Sequence, residues 1–120
     1  MKASDLKKIF VKLTLCDKTF NMAFTFGALA ELDDMYEKGF NEAINKFKGT
    51  GKGQLKAIQS LIYAGIVNQH EDVTFKEIGY LLTDALNSPD KMTYVTDTIT
   101  KAIDLAFPDI KEKDNEDVGE

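Results

Sequence analysis

Residues 7–24 read KKIFVKLTLCDKTFNMAF, and their alternation sets the fold class. Ile9, Val11, Leu13 and Leu15 alternate with Lys8, Phe10, Lys12 and Thr14; Phe20, Met22 and Phe24 then alternate with Thr19, Asn21 and Ala23. A period of two puts each apolar set on one face of a strand. Cys16-Asp17-Lys18 interrupts the pattern, so the two runs form a β-hairpin, although Asp-Lys is a weaker turn pair than Asn-Gly or Asp-Gly. A two-stranded hairpin alone is marginal in water, so its apolar face has to be covered by the rest of the chain.

From Thr25 onward the pattern is helical. Thr25 is placed to cap a helix from about Phe26 to Glu37, with Leu29, Leu32 and Tyr36 on one face and Gly39 as its stop. A short helix from about Asn41 to Phe47 carries Ala43, Ile44 and Phe47 and runs into the flexible loop Gly49-Thr50-Gly51-Lys52-Gly53. The long stretch Gln54 to Asn68, with Leu55, Ile58, Leu61, Ile62 and Ile66 in a wide stripe, is expected to be the central core helix. Thr74 and Glu77 make a capping box for a helix with Phe75, Ile78, Leu82 and Leu86 inward. Ser88-Pro89-Asp90 opens the last helix, whose apolar face is Met92, Val95, Ile99, Ala102 and Ala106, ended by Pro108. The expected class is therefore α+β, mostly α: an N-terminal hairpin followed by about five helices.

The chain of 120 residues, 43% apolar and 29% charged, has the balance of one soluble globular domain. Its net charge of −5 is unevenly placed. Residues 109–120, DIKEKDNEDVGE, hold six acids and two lysines, which leaves residues 1–108 almost neutral with 13 lysines and 14 acids. We expect one domain over residues 1–108 and a disordered acidic tail over 109–120, because Ile110 and Val118 are too little apolar surface to offset backbone ordering. All 15 basic residues are lysine and none are clustered with aromatics, which disfavours nucleic acid as a partner. One cysteine, no signal-peptide-like start and no apolar run near the about 20 residues needed to cross a bilayer point to a reducing, cytoplasmic setting without membrane insertion.

Chemistry finds little foothold in the residues. Gly51-Lys52 fails the P-loop pattern, with Lys46 where the first glycine belongs and Gly53 where the hydroxyl belongs. His70, the one histidine, reads as solvated surface near a helix end, with no second ligand for zinc. Cys16 reads as a buried or partly buried inert thiol, and no spacing joins it to His70 as a nucleophile and base. Asp33-Asp34 and Glu71-Asp72 point about 100° apart on a helix, so neither converges as an acid–base pair. Asp114 to Gly119 departs from the calcium-loop pattern at Glu116 and Val118. Neither catalysis nor a cofactor or metal is expected.

One resemblance goes further. Residues 19–40, TFNMAFTFGALAELDDMYEKGF, resemble the N-terminal signature of tail assembly chaperones of long-tailed bacteriophages and prophages of Gram-positive bacteria. In that family a short hairpin leads into a helix with the pattern Phe…Gly-x-Leu-x-x-Leu-x-x-x-Tyr, matched here by Phe26, Gly27, Leu29, Leu32 and Tyr36. The similarity continues through the lysine-rich 46–56 loop into residues 55–82, LKAIQSLIYAGIVNQHEDVTFKEIGYLL, with its Ala64-Gly65 and Ile78-Gly79 pairs. It implies a non-enzymatic role: binding the tape measure protein, keeping it soluble, recruiting tail tube subunits and leaving before the virion is complete. It also implies that such a chain is often the shorter of two translated forms. The contrasting expectation is a structural component of the tail or its terminus, which would persist in virions. Apolar residues left over from the core stripes, namely Phe10, Phe40, Tyr63, Tyr80, Leu81, Tyr94 and Phe107, are the candidates for a client or self-association surface. Tyr63, Tyr80 and Leu81 lead that set as a protein-binding surface.

Overall fold

A computed structural model describes residues 9–108, so the expected acidic tail and the Asp114–Gly119 stretch lie outside the described residues. The hairpin is present as β1 (Val11–Leu15) paired antiparallel with β2 (Lys18–Met22). Val11 faces Met22 and Leu13 faces Phe20 on the buried side, while Thr14 and Thr19 share a 2.9 Å hydroxyl contact on the outer side. The first strand starts at Val11, with Ile9 and Phe10 ahead of it. The turn is Cys16-Asp17 and not Asp-Lys: both residues have positive φ, 48° and 70°, which is the type I′ geometry that matches strand twist. Neither is glycine, which is why the sequence signal is weak. Cys16 is exposed there, correcting the expectation of a buried thiol.

Five α-helices come after the hairpin among the described residues: α1 (Phe26–Met35), α2 (Gly39–Lys48), α3 (Gln54–Val67), α4 (Phe75–Thr83) and α5 (Pro89–Ala106), with a 3-10 turn (Asp84–Asn87) between α4 and α5. The molecule is thus α+β and mostly α. Three expected caps are made. The hydroxyls of Thr25, Thr74 and Ser88 accept from the amides of Ala28, Glu77 and Lys91 at 3.2, 3.0 and 3.3 Å. Only the hydroxyl half of the expected Thr74–Glu77 capping box is made: the Glu77 carboxylate pairs with Lys18 at 3.0 Å, which ties α4 to the hairpin.

Gly39 does not stop α1. That helix ends at Met35, where Tyr36 turns to extended backbone and buries its ring, its hydroxyl donating to Ser60 Oγ at 3.3 Å. Gly39, at φ +65°, instead begins α2 and sits against the Asp33 carboxylate, where a Cβ would collide.

The long helix α3 is the centre, touching α1, α2, α4, α5 and β2. Its stripe is buried from Ala57 through Ile66 on most sides, and the buried polar Ser60 is satisfied by donating to the Lys56 carbonyl at 2.7 Å. The hairpin docks where α3 has Gly65. Ala23 N–H donates to the Gly65 carbonyl at 2.9 Å, and a Cβ on Gly65 would lie 2.6 Å from Met22 Cγ. On its other edge β1 packs on α5, where the Tyr94 hydroxyl accepts from Thr14 N–H at 2.9 Å. One core cluster therefore takes residues from both strands and all five helices. No helix among the described residues is long and apolar enough to cross a membrane.

Candidate functional site

Two side chains assigned by periodicity to the core are outside it: Leu55 is 65% exposed and Leu86 62%. The cause is local geometry. Leu86 continues the Phe75–Ile78–Leu82 stripe only if the backbone stays α-helical, where four residues advance about 40° past a full turn. After Thr83 the chain tightens into the 3-10 turn, and at about three residues per turn Leu86 swings roughly 120° from Leu82. Leu55 sits on the first turn of α3, beyond the buried part of its stripe.

Between these two leucines runs an apolar groove walled by α3, α4, the 3-10 turn and the start of α5. It comprises two adjoining depressions of about 160 and 370 Å³ that share Leu55, Ile58, Leu86 and Met92. Ile58 and Leu82 floor it, and the rest of the lining is uncharged, including Gln54, Gln59, Thr83, Asn87 and Thr96. Its narrow end is set by Gly79, where α4 approaches α3 closely enough that a Cβ would lie 2.8 Å from Gln59 Nε2. That nitrogen donates to the Phe75 carbonyl at 2.9 Å, locking the two helices together. The groove was not recognisable from residue types, because Leu55, Leu86 and Met92 look like ordinary core positions.

The residues singled out from sequence are dispersed. Of the motif carried by the family resemblance, Leu32 and Tyr36 are buried, Leu29 is half-buried, and Gly27 lies where a Cβ would meet Asn68 Nδ2 at 2.5 Å. Phe26 is 89% exposed and, with Leu29 and Phe40, lines a separate shallow depression. Tyr63 is half-buried edge-on to Phe75, ring centroids 5.8 Å apart. Tyr80 is exposed, with the Lys76 ammonium over its ring, and Leu81 is half-buried against the core with its carbonyl 3.5 Å from Cys16 Sγ. Phe40 and Phe107 pack on each other at 5.1 Å.

His70 is not the solvated side chain expected. Its Nε2 accepts from Asn21 N–H at 3.0 Å and its ring stands edge-on to Phe20 at 5.3 Å, so it fastens β2 to the end of α3. Beside it lies a polar depression of about 560 Å³ lined by Lys18, Glu71, Asp72 and Glu77, larger than the groove but filled with charges that include the Lys18–Glu77 pair. His70 and Cys16 are engaged with different partners, Asn21 and Leu81. Among the described residues no group of three or more His, Cys, Asp or Glu is placed to hold a metal ion. What the groove offers chemically is desolvation of apolar side chains, with neutral polar groups at its margin. In comparisons with known proteins, no family model, curated protein or solved structure matches the chain.

Proposed function

We propose that this protein is a non-enzymatic tail assembly chaperone of a long-tailed bacteriophage or prophage, which binds the tape measure protein and recruits tail tube subunits. The observation that carries the reading is the uncharged apolar groove between Leu55 and Leu86, left open among the described residues. Exposed leucines that contribute nothing to the core fit a surface that trades solvent for client. The sequence resemblance over residues 19–40 and 55–82 supplies the client class. In this reading the protein acts in the cytoplasm of the bacterial host and is absent from the mature virion.

The groove, and not the Tyr63–Tyr80 pair alone, is the client surface we favour. Leu55→Ser with Leu86→Ser removes exposed apolar area, so each change is expected to shift folding stability by no more than about 0.5 kcal/mol. Co-expression with a long helical tape measure protein is expected to yield less soluble client with this double variant than with the wild type. Unchanged soluble yield would overturn the groove assignment. Mass spectrometry of purified virions separates the chaperone from a structural tail component: stoichiometric presence of this chain would sink the chaperone reading.

A further inference from the structure

A two-stranded sheet has two edges, and each presents the backbone groups that a third strand would pair with. The Cys16-Asp17 turn makes Leu15 and Lys18 the closing hydrogen-bonded pair, so Leu13 with Phe20 and Val11 with Met22 carry the rest of the ladder. The alternate pairs, Thr14 with Thr19 and Lys12 with Asn21, turn their amides and carbonyls outward to the two edges. An aromatic ring stands on each edge. On β1 the Tyr94 hydroxyl accepts from Thr14 N–H at 2.9 Å, and on β2 His70 Nε2 accepts from Asn21 N–H at 3.0 Å. Tyr94 comes from α5 and His70 from the segment after α3, 80 and 49 residues along the chain from the amides they hold. On the β2 side a depression of about 560 Å³, lined in part by Lys18, Phe20 and His70, adjoins the strand.

The two sealed amides are those that pairing between identical strands would need. An antiparallel strand pairs with its own copy across a two-fold axis. With the axis at Leu13, β1 sets Lys12 opposite Thr14 of the second copy, and half of the new backbone bonds are donated by Thr14 N–H. With the axis at Phe20, β2 sets Thr19 opposite Asn21 of the second copy, and half are donated by Asn21 N–H. We infer that Tyr94 and His70 are edge plugs: they hold the hairpin shut against strand pairing with a second copy of this chain, and loss of either ring opens one edge to a two-fold dimer. The inference goes beyond the client-binding reading and holds whether or not the groove takes a client. A ring bonded to an edge amide acts twice. It satisfies the donor, and its bulk stands where the incoming backbone would lie, about 4.8 Å from the strand.

The test is sedimentation of the full chain over a range of concentrations. Y94A and H70A are each expected to form a species of twice the wild-type mass that grows with concentration. T14P in the Y94A background and N21P in the H70A background should return wild-type sedimentation, because proline removes the outward donor and no ladder bond. Charge at position 14 reports the register. In Y94A, T14K places a lysine opposite Lys12 of the second copy and should weaken the dimer roughly fivefold, whereas T14E should tighten it by a similar factor. Where a proline variant loses native circular dichroism, the like-charge variants decide in its place, T14K for β1 and T19K/N21K for β2. Wild-type sedimentation of Y94A or H70A would overturn the plug at that edge. Association indifferent to the proline and charge variants would mean that lost stability drives it, which overturns the inference. A dimer dissolved instead by L55S/L86S would put the second copy in the groove and overturn it equally.

Discussion

At Gly65 a single missing Cβ decides whether the hairpin can reach the central helix. Met22 Cγ occupies the space a methyl would take, at 2.6 Å, and the Gly65 carbonyl accepts from Ala23 beside it. Gly65→Ala is therefore expected to destabilise by about 1–3 kcal/mol through overpacking, measured by urea unfolding. Gly51→Ala, with nothing within 4 Å of its Cβ position, serves as the matched control and should be neutral or slightly stabilising. Charge acts at the same scale on Glu42. Its carboxyl is held below the ordinary carboxylate value first by the Lys38 backbone N–H and then by the Lys46 ammonium. A depressed carboxyl favours the fold above the unfolded carboxylate range, and the contribution disappears as pH falls through the lower folded value. Glu42→Gln should accordingly give a flatter acid limb in stability against pH, while an unchanged limb would show that the Glu42 contacts do not bear on folding.

The elements are where periodicity succeeds and where it stops. Strand alternation in Val11–Leu15 and Lys18–Met22, the hydroxyl caps at Thr25, Thr74 and Ser88, and Pro89 at the start of α5 depend on residues within a few positions of one another, so they are legible in sequence. The turn and the α4 exit are not. Cys16 and Asp17 both adopt positive φ without being glycine, a conformation that costs L-residues roughly 1–2 kcal/mol each, less for Asp. Cys16→Asn with Asp17→Gly, the pair a type I′ turn favours, should raise stability by about 1 kcal/mol in thermal unfolding. A fall in the midpoint would mean that the Cys16 contact with the Leu81 carbonyl outweighs the backbone gain. At the α4 exit a 3-10 turn replaces the last helical turn, and no residue between Asp84 and Asn87 announces it. Leu86 is carried out of the core by that change of pitch, and the candidate site exists because of it.

For the whole molecule α3 is the common neighbour, since hairpin and helices alike pack on it. Leu61, fully buried on α3, should therefore act globally. Leu61→Ala is expected to cost about 2–5 kcal/mol and to lower hydrogen-exchange protection of β2, α1 and α4 together. Loss confined to α3 would contradict a shared core. The candidate site was less legible than this core. Tyr63 and Tyr80 stand off the inward stripes as sequence spacing suggests, yet Tyr63 is half-buried on Phe75, while Leu55 and Leu86, read as core, are open. His70 likewise changes from solvated surface to a fastening between β2 and the end of α3, because Asn21 arrives at its Nε2 from 49 residues away. Periodicity and capping chemistry are properties of neighbouring residues, so the chain alone specifies which face of each strand and helix is apolar and where most helices begin. Whether an apolar face is then covered depends on another element arriving above it, at a distance and pitch that no local pattern encodes. Among the described residues, packing leaves the groove between Leu55 and Leu86 uncovered.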